Sequence, residues 1–370
     1  MVAVPNPRVV FLKHPPPGPP VVGEHLTLDN SRTIDIDNVP LNGGFLTKTL
    51  VLSPEPHMRD RMRDPSIPSY STTYTIGAPI VAFAVVVVLR SEKEGVNPGD
   101  YMYGQTPWEA YTVQPYVEGR CNFKPEEWAP GTCDFDSLAL QVVPNPQGAF
   151  PITRYTSILG TPGLTAYVAF EGIIGEVKPG QVIFVSSGAS AVGSLVIQIA
   201  KMKGLKVIAS AGSDTKVDYM KSVGADVAFN YKKTDYETAL AEHGPIQFCW
   251  DNVGVEALDA ALGIASSNAK FVICGTVGTD NTPFEERYRL KNAFLIMKKC
   301  LTLRGFIVPE FVPQFAGKFF SEVPALVAQG KLKSEERVIE GWDKAAQALV
   351  DMMKTGHDAI GKPVVVVGQA

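Results

Sequence analysis

The sequence predicts an α/β fold: a doubly wound, parallel six-stranded sheet joined to a second domain that is a partly open β-barrel. Between residues 181 and 308, six apolar runs alternate with helical segments, the pattern of a parallel sheet covered by helices. A turn of small residues follows the first run directly, at Gly188. The first 150 residues instead hold short β runs separated by Gly, Pro and Asn turns, which favours a barrel.

Length and composition are consistent with two folded domains. The chain has 370 residues, more than a single domain usually contains. We predict that residues 1–152 and 325–370 form one domain and residues 153–324 the other. A hydrophobic content of 45% with 19% charged residues is ordinary for a globular protein. A net charge of −4 argues against nucleic-acid binding, so we interpret Arg59, Arg61 and Arg63 as a solvated or cofactor-facing turn.

The barrel domain is predicted from five short runs, at residues 9–12, 45–52, 80–89, 111–113 and 140–143. The run at 80–89 is the longest apolar stretch, far short of the roughly 20 residues that a membrane-spanning helix needs. The proline-rich N-terminus lacks a signal-peptide core. A cytoplasmic protein is therefore expected. Residues 151–175 change to helical spacing and lead into the parallel sheet.

The first strand of that sheet, at residues 182–185, opens a nucleotide-binding unit. Gly188, Ser190 and Gly193 occupy the three glycine positions of G-x-G-x-x-G, with Ala191 and Val192 between the last two. A helix through residue 203 and a second strand at 206–210 follow. Small residues let backbone N–H groups approach a pyrophosphate, and the helix N-terminus adds positive potential. The unit therefore predicts an anionic dinucleotide as ligand.

The end of the second strand indicates which dinucleotide. Units that bind NAD usually carry an acidic side chain there, which grips the ribose 2′-hydroxyl. Here the strand ends in small residues that include Gly212 and Ser213, and Lys216 stands in the first turn of the next helix. This combination suits the 2′-phosphate of NADP. Taken alone, Lys216 would be better interpreted as an ordinary solvated helix lysine.

The remaining elements continue the alternation. Helices are predicted at residues 215–223, 234–242 and 256–265, and strands at 226–230, 246–250, 270–274 and 301–308. Two further helices, at 313–329 and 343–355, precede a strand at 362–367 that is predicted to return to the first domain.

Metal sites and disulfides are not expected. The five cysteines are odd in number, scattered, and without a C-x-x-C spacing, which fits reduced thiols in a cytosolic enzyme. Glu24 and His25 stand in the wrong order for a catalytic zinc ligand pair. The sequence therefore predicts an enzyme without zinc.

Motifs along almost the whole chain resemble the medium-chain dehydrogenase/reductase superfamily. Within it, the chain is similar to the zinc-independent prostaglandin reductases and NADP-dependent alkenal double-bond reductases. The matching segments are residues 50–54, 58–62, 69–70, 108–111, 159–167, 211–213 with 216, 230–232, 251–254, 274–275, 291–292 and 305–308.

The resemblance implies a Rossmann cofactor-binding domain, a GroES-like catalytic domain and a homodimer. It implies that Lys216 and Tyr231 hold the 2′-phosphate of NADPH. Tyr70 matches a phenol at the mouth of the substrate site. The residues it assigns to the nicotinamide side are Asn252, Cys274 and Phe306, with Thr165 nearby.

The implied reaction is reduction of the carbon–carbon double bond of an α,β-unsaturated aldehyde or ketone, by hydride transfer to the β-carbon. The enolate oxygen then needs a hydrogen-bond donor. Where the family usually has a tyrosine, this chain has Asp280, so either Tyr70, Tyr288 or solvent takes that role, or the role is not essential. Alanines at 78, 82 and 84 and the segment after Asp358 also depart from the family pattern.

Two other functions stay open at this level. One is an NADPH-dependent quinone oxidoreductase of the same superfamily. The other is an NADPH-binding protein without turnover. The observation behind this alternative is Asp280, which stands where the family usually has a tyrosine. Product analysis separates the reductases from each other, and absence of any substrate-dependent oxidation identifies the binding protein.

Overall fold

The computed structural model describes residues 3–115, 140–143, 148–354 and 359–369. Cys121, Cys133 and Asp358, which entered the predictions above, lie outside these ranges. The chain forms two compact units. The first comprises Met1–Thr156, Arg337–Lys354 and Pro363–Ala370, and the second comprises Ser157–Glu336 and Thr355–Lys362.

The first unit begins with two small antiparallel pairs. Strand β1 (Val4–Pro5) pairs with β4 (Thr33–Ile34), and β2 (Arg8–Phe11) pairs with β3 (Leu26–Asp29). The main strands follow as β5 (Phe45–Leu52), β6 (Val81–Ser91), β7 (Tyr101–Pro107), β8 (Tyr111–Gln114) and β9 (Gln141–Val142).

The second unit begins after a 3-10 turn at Ile152–Thr156. Helix α1 (Thr161–Ala169) follows its N-cap residue Gly160, carries a proline in its first turn, and runs into one π-helical turn, Phe170–Ile174. The elements that follow are β10 (Val182–Val185), α2 (Ala191–Met202), β11 (Lys206–Ala211), α3 (Asp214–Ser222), β12 (Val227–Asn230), α4 (Tyr236–His243), β13 (Ile246–Asp251), α5 (Val255–Ile264), β14 (Ala265–Ile273), α6 (Phe294–Lys298), β15 (Thr302–Gly305) and α7 (Val312–Ala328).

The sheet of the second unit has the order β12-β11-β10-β13-β14-β15. Every neighbouring pair is parallel. The chain leaves the central strand β10 in one direction and returns to its other side at β13, so the strand order reverses between these two strands. In open α/β sheets, ligands bind at the carboxyl ends of the strands beside such a reversal.

The last part of the chain completes the sheet of the first unit. It supplies β16 (Glu336–Glu340), α8 (Ala345–Met353) and β17 (Lys362–Val366). Val365 pairs with Leu52 and Val366 with Val51 in an antiparallel register. The sheet order is β16-β17-β5-β6-β7-β9, with β8 paired to β5. The final strand thus returns to the sheet built by the N-terminal residues, as the sequence predicted.

Each unit has its own apolar core. In the first, Val86, Trp108 and Leu349 are among the fully or almost fully buried side chains between the sheet and α8. In the second, Phe184 of β10 and Phe271 of β14 are fully buried. The predicted class is confirmed: a parallel six-stranded sheet covered by helices, and a separate sheet domain. Among the described residues, no helix is both long enough and apolar enough to cross a membrane.

Some predicted boundaries shift, with identifiable causes. The sixth strand was expected to reach residue 308 but ends at Gly305, and a 3-10 turn follows at Val308–Glu310. Pro309 in that turn has no backbone N–H for a sheet ladder. The helical region expected at 151–175 divides at Gly160 into a 3-10 turn and α1.

Of the two interpretations of the arginine cluster, the solvated turn is wrong for Arg59 and Arg61, and the cofactor-facing turn stays a prediction. Arg59 and Arg61 are 7% and 4% exposed. Arg59 donates to the carbonyls of Pro16 and Gly18, and Arg61 donates to that of Thr72. The Arg61 guanidinium also lies 4.5 Å from the centre of the Tyr74 ring. Backbone carbonyls and an aromatic face therefore replace the water that the sequence led us to expect around these cations.

Candidate functional site

The turn after β10 requires glycine at two of its motif positions. A Cβ atom on Gly188 would lie 2.7 Å from Met220 Sδ and 2.9 Å from Ala209 Cβ. A Cβ atom on Gly193 would lie 2.4 Å from the carbonyl oxygen of Ser187. Because the Ser187 carbonyl oxygen is a backbone atom, it cannot move without moving the chain, so any side chain at residue 193 would distort the turn. The two glycines therefore hold the backbone of the turn close to the first turn of α2.

The N-terminus of α2 is capped and directed at this turn. Ser190 is the N-cap residue, and its Oγ accepts a hydrogen bond from Gly193 N at 3.1 Å. Ala191 and Val192 form the first turn and are half-buried. Backbone N–H groups at a helix start carry positive partial charge and favour anions. The turn thus has the elements of the predicted pyrophosphate cradle.

Gly212 and Ser213 directly follow β11 and are called the tip of this strand. The aromatic ring of Tyr231 covers the backbone of the tip. A Cβ atom on Gly212 would lie 2.9 Å from Tyr231 Oη. Tyr231 is 37% exposed and stacks on Tyr236 with 5.5 Å between ring centres. Ser213 Oγ is buried and makes no hydrogen bond to the described residues. A buried hydroxyl without a partner is costly, so this atom fits a position that a ligand oxygen completes.

Two charged residues follow the tip in the first turn of α3, the acidic Asp214 and the basic Lys216. Asp214 is exposed and accepts hydrogen bonds from Asn230 and Lys233. These donors hold the pKa of Asp214 below its usual range. Lys216, two residues further along in the first turn of α3, is half-buried. The carboxylate nearest the tip is thus already engaged by an amide and an ammonium group.

At the carboxyl end of β13, a buried carboxylate organises the backbone. Asp251 is fully buried; its Oδ1 accepts from Ser186 Oγ at 2.7 Å, and its Oδ2 accepts from Gly254 N at 2.8 Å. Burial raises the pKa of Asp251, and these hydrogen bonds act in the opposite direction. Asn252 Nδ2 donates to the carbonyl of Ser186 at 2.7 Å. The ends of β10 and β13 are therefore locked together around Asn252.

Three of the predicted nicotinamide-side residues surround one indole. Trp250 is fully buried, and its Nε1 donates to Asn252 Oδ1 at 3.2 Å. Phe306 packs edge-on against Trp250, with 6.2 Å between ring centres. Cys274 N donates to the carbonyl of Asp251 at 2.8 Å. Burial and the nearby Asp251 charge raise the pKa of the Cys274 thiol to about 12, so this side chain stays a neutral thiol.

The other three predicted residues are Thr165, Tyr288 and Tyr70. Thr165 is buried on α1, and its hydroxyl donates to the carbonyl of Thr161 at 2.7 Å. Tyr288 donates to Asp259 Oδ2 at 2.8 Å. Tyr70 is half-buried in the first unit. Tyr70 belongs to the first unit and Tyr288 to the second, and their catalytic roles stay predictions.

Comparison with known proteins identifies the family. The family model described as "Zinc-binding dehydrogenase" matches residues 191–324, and that described as "N-terminal domain of oxidoreductase" matches residues 10–119. The chain is 34% identical over 365 residues to "NADP-dependent oxidoreductase RED1" of Cochliobolus heterostrophus, covering 97% of each chain. It is 34% identical over 328 residues to "2-alkenal reductase (NADP(+)-dependent)" of Nicotiana tabacum, covering 88% of this chain and 87% of that one.

This chain belongs to the medium-chain dehydrogenase/reductase family. A solved structure agrees: CurA of Vibrio vulnificus, in complex with NADPH, superposes with a TM-score of 0.82. The identity is 26%, and the match covers 98% of this chain and 100% of that one.

Sequence reasoning missed three residues of this candidate site. Ser186 directly follows β10, and Trp250 and Asp251 are the last two residues of β13; all three are buried. A serine directly after one apolar strand and an aspartate at the end of another are the signal that could have found the first and third. Trp250 offered no such signal, because an aromatic residue inside a buried strand is ordinary.

The zinc in one family description has no counterpart in the described ranges. Within residues 3–115, 140–143, 148–354 and 359–369, no group of three or more His, Cys, Asp or Glu side chains is placed to hold a metal ion. A catalytic zinc site uses three protein ligands. Zinc independence stays a prediction for this member of the medium-chain dehydrogenase/reductase family.

Proposed function

We propose that this chain is an NADPH-dependent reductase of the carbon–carbon double bond of α,β-unsaturated aldehydes and ketones. The observation that carries the proposal is the likeness to the tobacco 2-alkenal reductase, which extends over 88% of this chain and therefore spans both units. Reductions of this class need a hydride source and a donor for the enolate oxygen, but no obligatory metal.

The cofactor is NADP(H). The turn from Gly188 to Gly193 and the start of α2 would hold its pyrophosphate. Tyr231, Lys216 and the unsatisfied hydroxyl of Ser213 would hold the 2′-phosphate. Since Asp214 is engaged by Lys233 and Asn230, it is a poor partner for a free ribose 2′-hydroxyl. This arrangement supports a preference for the phosphorylated cofactor.

The side chains around Trp250 would shape the nicotinamide side. NADPH, when bound, supplies the hydride for the β-carbon. Asn252 is fixed at both ends of its amide, by Trp250 and by Ser186, so its orientation is set before any ligand arrives. Phe306 and the neutral thiol of Cys274 contribute apolar surface that excludes water. Thr165 belongs to the same proposed surface.

The remaining assignments belong to the same proposal. Residues 1–152 with 325–370 would be the catalytic domain, and residues 153–324 the NADP-binding domain. Tyr70 would donate a hydrogen bond to the enolate oxygen, with Tyr288 as the second candidate. A cytoplasmic homodimer is what the resemblance to the reductases implies.

The deciding experiment follows NADPH oxidation with a 2-alkenal, an aryl enone and a quinone in parallel, and identifies the products. We expect one saturated aldehyde or ketone per NADPH consumed, and slower turnover with NADH. Turnover of the quinone alone would replace the proposal with a quinone oxidoreductase. Tight NADPH binding with no oxidation on any substrate would identify a binding protein.

A further inference from the structure

The turn after β5 contains a histidine paired with a buried carboxylate. Glu55 is 4% exposed, and Ser53 Oγ donates to its Oε1 at 2.9 Å. His57 Nδ1 lies 3.3 Å from Glu55 Oε2. A buried carboxylate is costly unless it is paired. A histidine whose one ring nitrogen is held by a carboxylate is the usual arrangement of an oriented proton donor or acceptor.

The ring of His57 is confined but reachable. Its edge contacts Phe83 of β6, with 6.2 Å between ring centres, and Phe83 in turn stacks on Tyr103 of β7 at 5.4 Å. About a quarter of the His57 side chain is exposed, against 6% for Glu55. Because Nδ1 faces Glu55, Nε2 is the ring nitrogen that would exchange a proton with a bound small molecule.

The segment that carries His57 is fastened to the segment that carries Tyr70. Asp60, three residues after His57, accepts hydrogen bonds at its Oδ2 from Ser69 Oγ at 2.7 Å and from Ser71 Oγ at 2.8 Å. These two serines flank Tyr70. Asp60 thus holds the segments of His57 and Tyr70 side by side within the first unit.

We propose that His57 is a catalytic residue, the acid that protonates the α-carbon, and that Glu55 is its positioning residue. This inference rests on the proposed function. Hydride addition to the β-carbon leaves an enolate. The Nε2–H bond of protonated His57 then breaks, its proton bonds to the α-carbon, and the enolate electron pair forms the new C–H bond. Solvent returns a proton to the neutral imidazole.

An imidazole suits this step better than a phenol. A general acid works best when its ordinary pKa lies near the working pH, and that of imidazole is about 6.5 whereas that of a phenol is about 10. Among the described residues, the Glu55 carboxylate faces the ring of His57; β6 contributes the uncharged Phe83, and Tyr103 of β7 stacks on Phe83.

The test compares His57→Gln with His243→Gln. His243 is a matched control, because its side chain is similarly exposed at 27% and also faces a glutamate, Glu242, at 4.0 Å. With a 2-alkenal as substrate, we expect His57→Gln to lower kcat by roughly 10²- to 10⁴-fold, with unchanged NADPH affinity in a fluorescence titration. Imidazole in the buffer should restore part of the rate of His57→Ala, and His243→Gln should behave as wild type.

The Glu55→Gln variant gives a second, independent reading. The Glu55 carboxylate orients the ring of His57, so its loss should lower kcat with the substrate KM unchanged, and Glu55→Asp, which keeps a carboxylate, should recover part of the rate. A folded His57→Gln protein with kcat within about threefold of wild type overturns the inference. If that variant does not fold, a Glu55→Gln protein with the kcat of wild type overturns it. A wild-type protein that reduces no alkenal or enone instead refutes the proposed function itself.

Discussion

The hydrogen bond from Tyr288 to Asp259 connects the segment before α6 to α5. Asp259 is 2% exposed, and its other oxygen accepts from Asn292 N at 2.8 Å. Burial, together with the hydrogen bond and charge of Asp259, raises the pKa of Tyr288 to about 12. At neutral pH the phenol is therefore protonated and donates to the carboxylate.

We predict that Tyr288→Phe lowers the free energy of unfolding by about 1–3 kcal/mol at pH 8, because a buried carboxylate oxygen loses its donor. The folded pKa lies above the unfolded value near 10, so this stabilisation is complete below pH 10 and is lost as pH rises toward 12. Urea unfolding across this range measures the difference. A difference that stays constant with pH contradicts the prediction, and a large loss of kcat at unchanged stability would favour the catalytic role.

At the scale of an element, the start of α2 depends on Gly193. An added Cβ atom would lie 2.4 Å from Ser187 O and 2.9 Å from Gly188 Cα, both backbone atoms. We predict that Gly193→Ala weakens NADPH binding by at least tenfold, because the turn must open to admit the methyl group. Gly317→Ala is the control: Gly317 lies within α7 with no atom within 4 Å of an added Cβ, so alanine there should stabilise by about 0.5–1 kcal/mol. NADPH titration and thermal unfolding of both variants test the pair, and equal NADPH affinity would count against the assignment of the turn.

Local patterns made the unit from β10 to β11 predictable, because strand, turn and helix each follow from neighbouring residues. Contacts between residues that are far apart in the sequence could not be predicted from such local patterns. The contact of Ser186 with Asp251 joins residues 65 positions apart and follows from the register in which Val185 pairs with Trp250. The burial of Arg61 depends on Thr72 and Tyr74 folding over it. The sequence shows the charge of Arg61 but not the carbonyls that replace its water.

At the scale of the whole molecule, the chain alternates between the two units. It passes from the first to the second after Thr156, back after Glu336, out again after Lys354 and back after Lys362. The first unit therefore takes β17 and α8 from the last part of the chain. Its sheet cannot be completed until Lys362–Val366 have been synthesised, whereas the six parallel strands of the second unit follow one another in sequence.

Whether the protein needs zinc is a question for the whole chain, because zinc ligands can come from distant segments. The described cysteines are Cys249, Cys274 and Cys300; burial raises the pKa of Cys249 and of Cys274, and zinc binds the thiolate rather than the thiol. We predict that the purified protein contains no stoichiometric zinc and that 1,10-phenanthroline changes neither its NADPH-dependent turnover nor its melting temperature. Elemental analysis, with the same assays before and after chelation, tests this. One zinc per chain, whose removal abolishes turnover and whose return restores it, would show that zinc is required and would direct the search for ligands to residues 116–139, 144–147 and 355–358.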